Sequence, residues 1–327
     1  MNVEANQFGD IYLHATSVRE WSQTYSQLTR GSFQSSLLQV RGRRFQIFRE
    51  TINQRVVQHG EAPEGKICFG VPLAASGAFR TQGREADECT VLLLQGGEEF
   101  LFHMPKGMDL LGINFDRRLF EQAIAATPHP EELIALLRQA VVQITPARLA
   151  ESRRRLLGLF DRTLFAADAG NAETERLLEE ALMAEFIDLL TDPGCDKHQR
   201  HGSSPGSYIV EKCHRLTVDQ RHSPPSVIDI CQRLRVSRRS VQNSFRDVTG
   251  TTPIDYIRCI RLNGARRELV STRAGELNIG DAAARWGFFH LSHFAADYQE
   301  LFGELPSQTR RVDGIPSRPT VSPATAT

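Results

Sequence analysis

The sequence predicts an α+β protein, with a small β-sandwich or barrel and a helical pair in its amino-terminal part and an all-α domain near its carboxyl end. Short β-type runs recur about every ten residues between Ser32 and Phe115. Apolar residues at helical spacing follow over 146–190. Two patterns of short helix, tight turn and second helix then lie between Ser226 and Pro306. Together these observations predict two domains with separate cores.

The β-type runs are separated by glycine, proline or clusters of charge, as expected for a sandwich or barrel. They cover 36–40, 45–49, 55–58, 67–71, 90–94, 99–103 and 110–115. Residues 1–15 show no clear pattern, so we expect a mobile arm there. Helices are predicted over 116–126, 130–143, 146–167 and 172–190. The last two should form an antiparallel pair with Gly170 and Asn171 at the bend.

Charge is unevenly distributed along a chain whose formal net charge is zero. Residues 207–311 carry 16 Lys or Arg and 11 Asp or Glu, a net charge of +5, whereas residues 1–192 carry 20 and 26, a net charge of −6. Ordinary scatter could give such a split, but a basic module beside an acidic one also suits a polyanionic partner. Residues 193–206 are rich in Gly, Pro and Ser and predict a linker, and the Pro-, Ser- and Thr-rich residues 312–327 predict a disordered tail.

The first helix-turn-helix pattern begins at Ser226, which follows two prolines and can cap a short helix. Ser237 then caps a second helix that ends at Gly250. The outward positions of that second helix are Arg238, Arg239, Gln242, Asn243 and Arg246. A solvated helix face would have the same composition. The order of short helix, tight turn and second helix favours a recognition helix instead, because Arg, Gln and Asn fit base edges in the major groove.

The second pattern repeats this order near the end of the chain. A short helix over 279–286 is followed by Gly287 and then by a helix whose first residues and outward positions include His290, Leu291, Ser292, His293 and Ala296. His290 and His293 have a metal-like spacing, but no third ligand lies nearby, so we expect a capping and DNA-contacting role instead. Between the patterns, Thr252 and Pro253 begin a helix reaching about Leu269. This rigid spacer would hold the two units roughly 34 Å apart, one turn of DNA.

These segments resemble the DNA-binding domain of the AraC/XylS family of bacterial transcription regulators. The resemblance is carried by residues 237–246, 250–253, 261–263 and 286–294 and covers about Ser207 to Arg311. Within that family, the sequence is most similar to regulators of ethanolamine-utilisation operons, and residues 45–50 and 69–72 share a weaker likeness to them. The resemblance implies base contacts by two sets of residues. They are Arg239, Gln242 and Asn243 in the first unit and Leu291, Ser292, His293 and Ala296 in the second.

The same resemblance implies a cupin-like effector-binding or dimerisation domain over 1–192, joined by the 193–206 linker to the 207–311 DNA-binding domain. We expect a transcriptional activator and homodimer that binds promoter DNA, RNA polymerase and a small-molecule effector. The apolar stripes of the helices over 146–190 either pair with a second copy of the chain or are wholly internal. Phe48, Glu50 and Phe69 are candidate effector contacts, since an amine or amino alcohol would suit a carboxylate and aromatic faces. Ordinary burial preferences favour core packing over ligand contact for each of these aromatic residues.

Other sequence features narrow the class of protein. Six cysteines without paired spacing predict reduced thiols, and no apolar run has the length of a signal core or a membrane span, so we expect a cytoplasmic protein with no membrane partner. We find no phosphate-binding glycine loop, nucleophile elbow or metal cluster, and therefore expect neither a catalytic residue nor a cofactor. The alternative is a β-barrel enzyme or ligand-binding protein whose helical domain serves only oligomerisation.

Overall fold

A computed structural model describes residues 1–164, 171–192, 195–196, 204–273 and 275–311. The strands are β1 (Asn2–Phe8), β2 (Ser22–Gln27), β3 (Ser35–Arg41), β4 (Phe45–Ile52), β5 (Val56–Glu61), β6 (Lys66–Ala74), β7 (Phe79–Thr81), β8 (Arg84–Ala86), β9 (Thr90–Gln95), β10 (Glu99–Met104), β11 (Met108–Asp116), β12 (Val141–Ile144) and β13 (Cys195–Asp196).

Five helices belong to the part of the described chain that precedes residue 193. They are α1 (Ile11–Ser17), α2 (Arg117–Ala125), α3 (Pro130–Leu136), α4 (Pro146–Leu164) and α5 (Ala172–Thr191). Six more follow in the described carboxyl-terminal part. They are α6 (Pro205–Asp219), α7 (Val227–Leu234), α8 (Arg238–Thr249), α9 (Pro253–Ser271), α10 (Ile279–Arg285) and α11 (Leu291–Phe302). The predicted α+β class is confirmed.

Two antiparallel sheets form the amino-terminal part. Within the described residues, the larger sheet has the strand order β1-β3-β4-β11-β6-β9-β12-β13 and the smaller β2-β5-β10-β7-β8. One apolar cluster lies between the sheets and includes Tyr25, Phe48, Phe100 and Phe102. A second cluster covers the outer face of the larger sheet with α2–α5 and includes Phe186. Successive residues of the central strands therefore point alternately into these two apolar clusters.

Two predictions in this part were wrong. Residues 2–8 form β1, which pairs along its whole length with β3, and residues 11–17 form α1, so the expected mobile arm is structured. The predicted helix over 130–143 ends at Leu136, and Val141–Ile144 instead forms β12, paired with β9. In both segments, backbone pairing with a distant strand overrides a weak local pattern. The predicted tail at 312–327, and most of the predicted linker, lie outside the described residues.

The carboxyl-terminal part contains two helix-turn-helix units that share α9. Ile257 and Ile260 on α9 pack with the first unit, and Leu262 and Leu269 pack with the second. Its 19 residues span about 28 Å at 1.5 Å per residue. The expected shared spacer is therefore present. The two halves of α9 pack into two separate apolar clusters.

The amino- and carboxyl-terminal parts are in direct contact. Leu28, Val57 and Leu101 share an apolar cluster with the first helix-turn-helix unit. His103 Nε2 lies 3.4 Å from the Tyr256 hydroxyl, which is hydrogen-bonded to His214 Nδ1 at 2.9 Å. Polar groups of both parts are therefore buried together at this interface.

Candidate nucleic-acid interface and ligand cavity

The first helix-turn-helix unit is fixed by its caps and its buried face. Ser226 and Asp229 form a reciprocal capping box at the start of α7, as the sequence predicts for Ser226. Arg235 ends α7 in the left-handed conformation at φ 54°, and Ser237 then caps α8 by accepting from the Ser240 amide at 3.0 Å. Phe245 is completely buried. The tight turn and the buried face together fix which side of α8 faces outward.

The outward face of α8 carries the side chains that the sequence singled out. Arg238, Arg239, Gln242, Asn243 and Arg246 are all exposed. Guanidinium and amide groups on one exposed helix face can form paired hydrogen bonds with guanine and adenine edges, while further arginines contact phosphates. The structure therefore brings these five residues together on one helix, with their polar groups available.

The second unit is held by contacts around its turn. Asn278 caps α10, and Gly287 adopts a left-handed φ of 73°. Arg261 of α9 donates to the carbonyls of Trp286 at 2.7 Å and Gly287 at 2.6 Å. The Arg261 guanidinium also lies 4.2 Å from the centroid of the Phe288 ring, which points inward. These contacts anchor the turn that precedes α11 to the shared helix.

The start of α11 presents the predicted residues of the second unit to solvent. His290, Leu291, Ser292, His293 and Ala296 are exposed. His290 occupies the N-cap position but makes no side-chain capping hydrogen bond, so the expected capping role of its imidazole is absent. The rings of His290 and His293 are 6.1 Å apart. Across the described residues, no group of three His, Cys, Asp or Glu is arranged to hold a metal ion.

Phe289 is a candidate interface residue that the sequence reasoning missed. Its side chain is 76% exposed, and Leu291 beside it is 52% exposed. Only one ring of the Phe288-Phe289 pair can face inward, and Phe288 takes that place by packing against Phe294 at 5.1 Å. An exposed ring at the start of a recognition helix is suited to apolar contact with the thymine methyl group. The two adjacent phenylalanines in the sequence were the signal that could have indicated this exposed ring.

A narrow cavity of about 40 Å³ lies in the apolar layer between the two sheets. Its lining includes Trp21, Phe48, Phe100 and Phe102, with the carboxylate of Glu50 as its charged group. A cavity of this size suits only a small ligand.

Glu50 is buried, and its two oxygens differ. Oε2 accepts from the Tyr25 hydroxyl at 2.9 Å and lies 2.9 Å from His14 Nε2. Oε1 has no hydrogen-bond partner among the described residues. Burial, followed by the nearby Glu50 charge, raises the pKa of Tyr25, so its hydroxyl stays protonated and donates to the carboxylate. An unpartnered buried carboxylate oxygen is costly, and a donor placed in the cavity would relieve that cost.

Phe48 and Glu50 are brought together at the cavity, but Phe69 is placed differently. Phe69 also borders the cavity, yet its ring stacks on Phe186 at 4.4 Å and packs against Phe120 at 5.2 Å on the helix-covered face of the sheet. The Phe69 ring therefore belongs to the core beneath α5. Phe48 instead contacts Trp21 edge-on at 6.2 Å, which places both rings within the layer between the sheets.

The carboxyl-terminal part of the chain matches known regulators. A family model described as a helix-turn-helix domain matches residues 230–312. The chain is 43% identical over 108 residues to the XylDLEGF operon transcriptional activator of Pseudomonas putida, an alignment covering 33% of this chain and 34% of that protein. It is 33% identical over 110 residues to XylDLEGF operon transcriptional activator 2 of the same organism, covering 34% of this chain and 70% of that protein.

Among solved structures, the AraC-like transcriptional activator CuxR aligns with a TM-score of 0.38 and 13% identity, over 70% of this chain and 80% of that chain. Most of the curated relatives are matched over about a third of their own length or less. The family-model match and the identity to named transcriptional activators place the helix-turn-helix units in the class of DNA-binding domains of transcriptional regulators. The chain belongs to the AraC/XylS family.

No helix in the described part of the chain combines the length and the apolar character needed to cross a membrane. Cys68, Cys89, Cys213, Cys231 and Cys259 are free thiols.

Proposed function

We propose that this protein is a cytoplasmic transcriptional activator that reads promoter DNA with α8 and α11 and responds to a small amine or amino alcohol bound beside Glu50. Residues 1–192 would hold the effector and pair in a homodimer, and residues 207–311 would bind DNA, with 193–206 as linker and 312–327 as tail. RNA polymerase is the partner expected of an activator. The observation that supports this effector class is the buried Glu50 carboxylate, whose Oε1 has no hydrogen-bond partner in the part of the chain that the structure describes.

The DNA-contacting residues are proposed to fall in two groups. In the first unit, Arg239, Gln242 and Asn243 read base edges, while Arg238 and Arg246 contact phosphates. The second unit offers fewer donors, since Leu291 and Ala296 are apolar and only His290, Ser292 and His293 can form hydrogen bonds. This unit therefore contributes more to anchoring and shape recognition than to base readout.

The effector is proposed to be a monocation with few non-hydrogen atoms. Its ammonium group would donate to Glu50 Oε1 and lie against the faces of Trp21 and Phe48, where carboxylate and ring both favour positive charge. The cavity size excludes bulky ligands, and the resemblance to regulators of ethanolamine utilisation makes ethanolamine the first amine to test. The homodimer is proposed to use the solvent side of α4 and α5, where Leu177 is 53% exposed.

DNA binding is tested by fluorescence anisotropy with duplexes selected by the full-length protein from a random pool. Affinity should fall steeply as salt is raised, because bound phosphates regain counterions. Arg239→Ala should weaken binding to a selected site by about 1–3 kcal/mol while affecting random DNA less. Arg118→Ala removes the same charge from an exposed position on α2, away from the proposed DNA and dimer surfaces, and serves as the control. A flat salt response would refute DNA binding, and equal losses on selected and random DNA would make Arg239 a phosphate contact.

Effector binding is tested by thermal shift with ethanolammonium, propylammonium and, as a neutral comparison, 1-propanol. A ligand selective for the folded protein raises its melting temperature, and only the ammonium compounds should do so. Glu50→Gln should abolish the shift, whereas Glu64→Gln, an exposed position, should retain it. A shift from 1-propanol that equals the shift from propylammonium would contradict the cationic class.

A further inference from the structure

The amino-terminal part of the molecule holds the carboxyl-terminal ends of both recognition helices. At the end of α8, Arg55 Nη1 donates to the Thr249 carbonyl at 2.5 Å. At the end of α11, Gln27 Nε2 and the Gly31 amide donate to the Leu301 carbonyl at 2.9 Å and 3.0 Å. Apart from Arg246, the proposed DNA contacts lie in the first half of each helix or at its start. Both helices can therefore be held and remain open to DNA.

These contacts are made by Arg55 and by one segment, residues 25–31, which we call the strap. The Leu28 amide donates to the Arg55 carbonyl at 2.8 Å, and the Arg55 amide donates to Thr29 Oγ1 at 2.9 Å, so Arg55 is fixed to the strap. The side chain of Asn263 on α9 accepts from the Gln27 amide and donates to the Gln27 carbonyl, both at 2.9 Å. Gln27 and Asn263 are buried. The strap thus touches α9 and α11 directly and reaches α8 through Arg55.

The strap also begins at the cavity. Tyr25 is its first residue, and the Tyr25 hydroxyl donates to Glu50 Oε2. A second connection leaves the same oxygen through His14 in α1, whose N-cap residue Asp10 accepts from Arg266 Nε on α9 at 2.8 Å. Two short paths, each made of hydrogen bonds and a few residues of backbone, therefore join one carboxylate to the helix that both units share.

We propose that the strap sets the relative position of the two recognition helices, and that Glu50 couples occupancy of the cavity to that position. This inference rests on the proposed function. Two recognition helices in successive major grooves tolerate little change in separation, because each added base pair moves the second contact along the helix axis and rotates it around that axis. A cation at Oε1 pulls on the carboxylate that holds Tyr25 and His14. The property that the effector regulates is therefore the distance along the DNA between the two sites that α8 and α11 can contact at once.

The test compares Arg55→Gln with Arg118→Gln in the full-length protein. Arg55 holds α8, whereas Arg118 is exposed on α2 and lies outside the strap and the helix-turn-helix units. Each variant is titrated with a selected duplex and with the same duplex carrying one extra base pair between its two contact regions. The wild-type protein and Arg118→Gln should lose about tenfold or more in affinity on insertion. Arg55→Gln should lose about threefold or less, because its helices can readjust.

A second variant tests the link to the cavity. Tyr25→Phe removes one hydroxyl from Glu50 and should also relax the spacing preference, while Tyr208→Phe removes an exposed hydroxyl on α6 and should not. Equal insertion penalties in the wild type, Arg55→Gln and Tyr25→Phe, with melting temperatures showing folded variants, would overturn the inference. Failure of the wild type to bind any duplex would instead refute the proposed function. The two failures are distinguishable, and neither measurement requires an identified effector.

Discussion

Replacement of His103 by Gln should reduce the sensitivity of the protein to mild acid. His103 is buried against Tyr256 at the interface, where burial, and then the charges of Arg55 and Arg80, lower its pKa to about 3. Burial likewise lowers the pKa of His214 well below its usual value, and His59 and His103 add to this effect. A histidine with a lowered folded-state pKa is neutral in the folded protein and takes up a proton on unfolding. Above about pH 6.5 this histidine is neutral in both states and does not lower the free energy of unfolding. As the pH falls from about 6.5 towards 3, the unfolded chain takes up the proton, and the free energy of unfolding decreases.

The magnitude follows from linkage. With a pKa of about 6.5 in the unfolded chain and about 3 in the folded protein, His103 should cost about 2 kcal/mol of unfolding free energy between pH 7 and pH 5. Urea denaturation at half-unit steps through this range measures that loss. His103→Gln, which can still hydrogen-bond to Tyr256, should lose about 2 kcal/mol less than the wild type over the same steps. Parallel pH profiles for the two proteins would refute this account of the interface.

Three further outcomes follow from the structure. Gly264→Ala should lower the unfolding free energy by about 1–3 kcal/mol, because its Cβ would lie 2.2 Å from the Trp286 ring. In the control Gly158→Ala, in α4, the added Cβ meets nothing within 4 Å, and the better helix propensity of Ala should raise the melting temperature. Phe289→Ala should weaken binding to a selected site, and replacing thymine by deoxyuridine in that site should weaken the wild type more than the variant if the ring contacts the 5-methyl group. Ser226→Ala should cost about 1 kcal/mol in urea denaturation through loss of the α7 cap, and an unchanged midpoint would contradict that role.

The carboxyl-terminal part could be predicted from the sequence to within a few residues, because its helix ends are encoded locally. Ser237 and Thr252 cap the helices that follow them, and Gly250 and Gly303 adopt left-handed conformations directly after α8 and α11. A cap acts on amides two or three residues away, so it can be identified without knowledge of the fold. The exposed residues of α8 and α11 follow from the same helical periodicity.

The amino-terminal part was less predictable because its structure depends on distant partners. Residues 2–8 alternate between polar and apolar side chains only as far as Asn6, and they become a strand through pairing with β3. The interface was not foreseen at all. Gln27 and Asn263 are amides that composition assigns to the surface, yet both are buried against each other across 236 positions in sequence. No local signal marks a polar residue whose partner lies in another domain.

The two ends of a recognition helix offer different chemistry, and this protein uses both. Side chains near the start of α8 and α11 face outward, where a duplex can reach them. The last carbonyls of each helix have no partner within the helix and carry partial negative charge, so they are natural acceptors for donors from another domain. Arg55 is a charged donor placed at such an end, and Gln27 is a neutral one. Contact at these ends can shift a whole helix as a rigid body without occupying the surface that meets DNA.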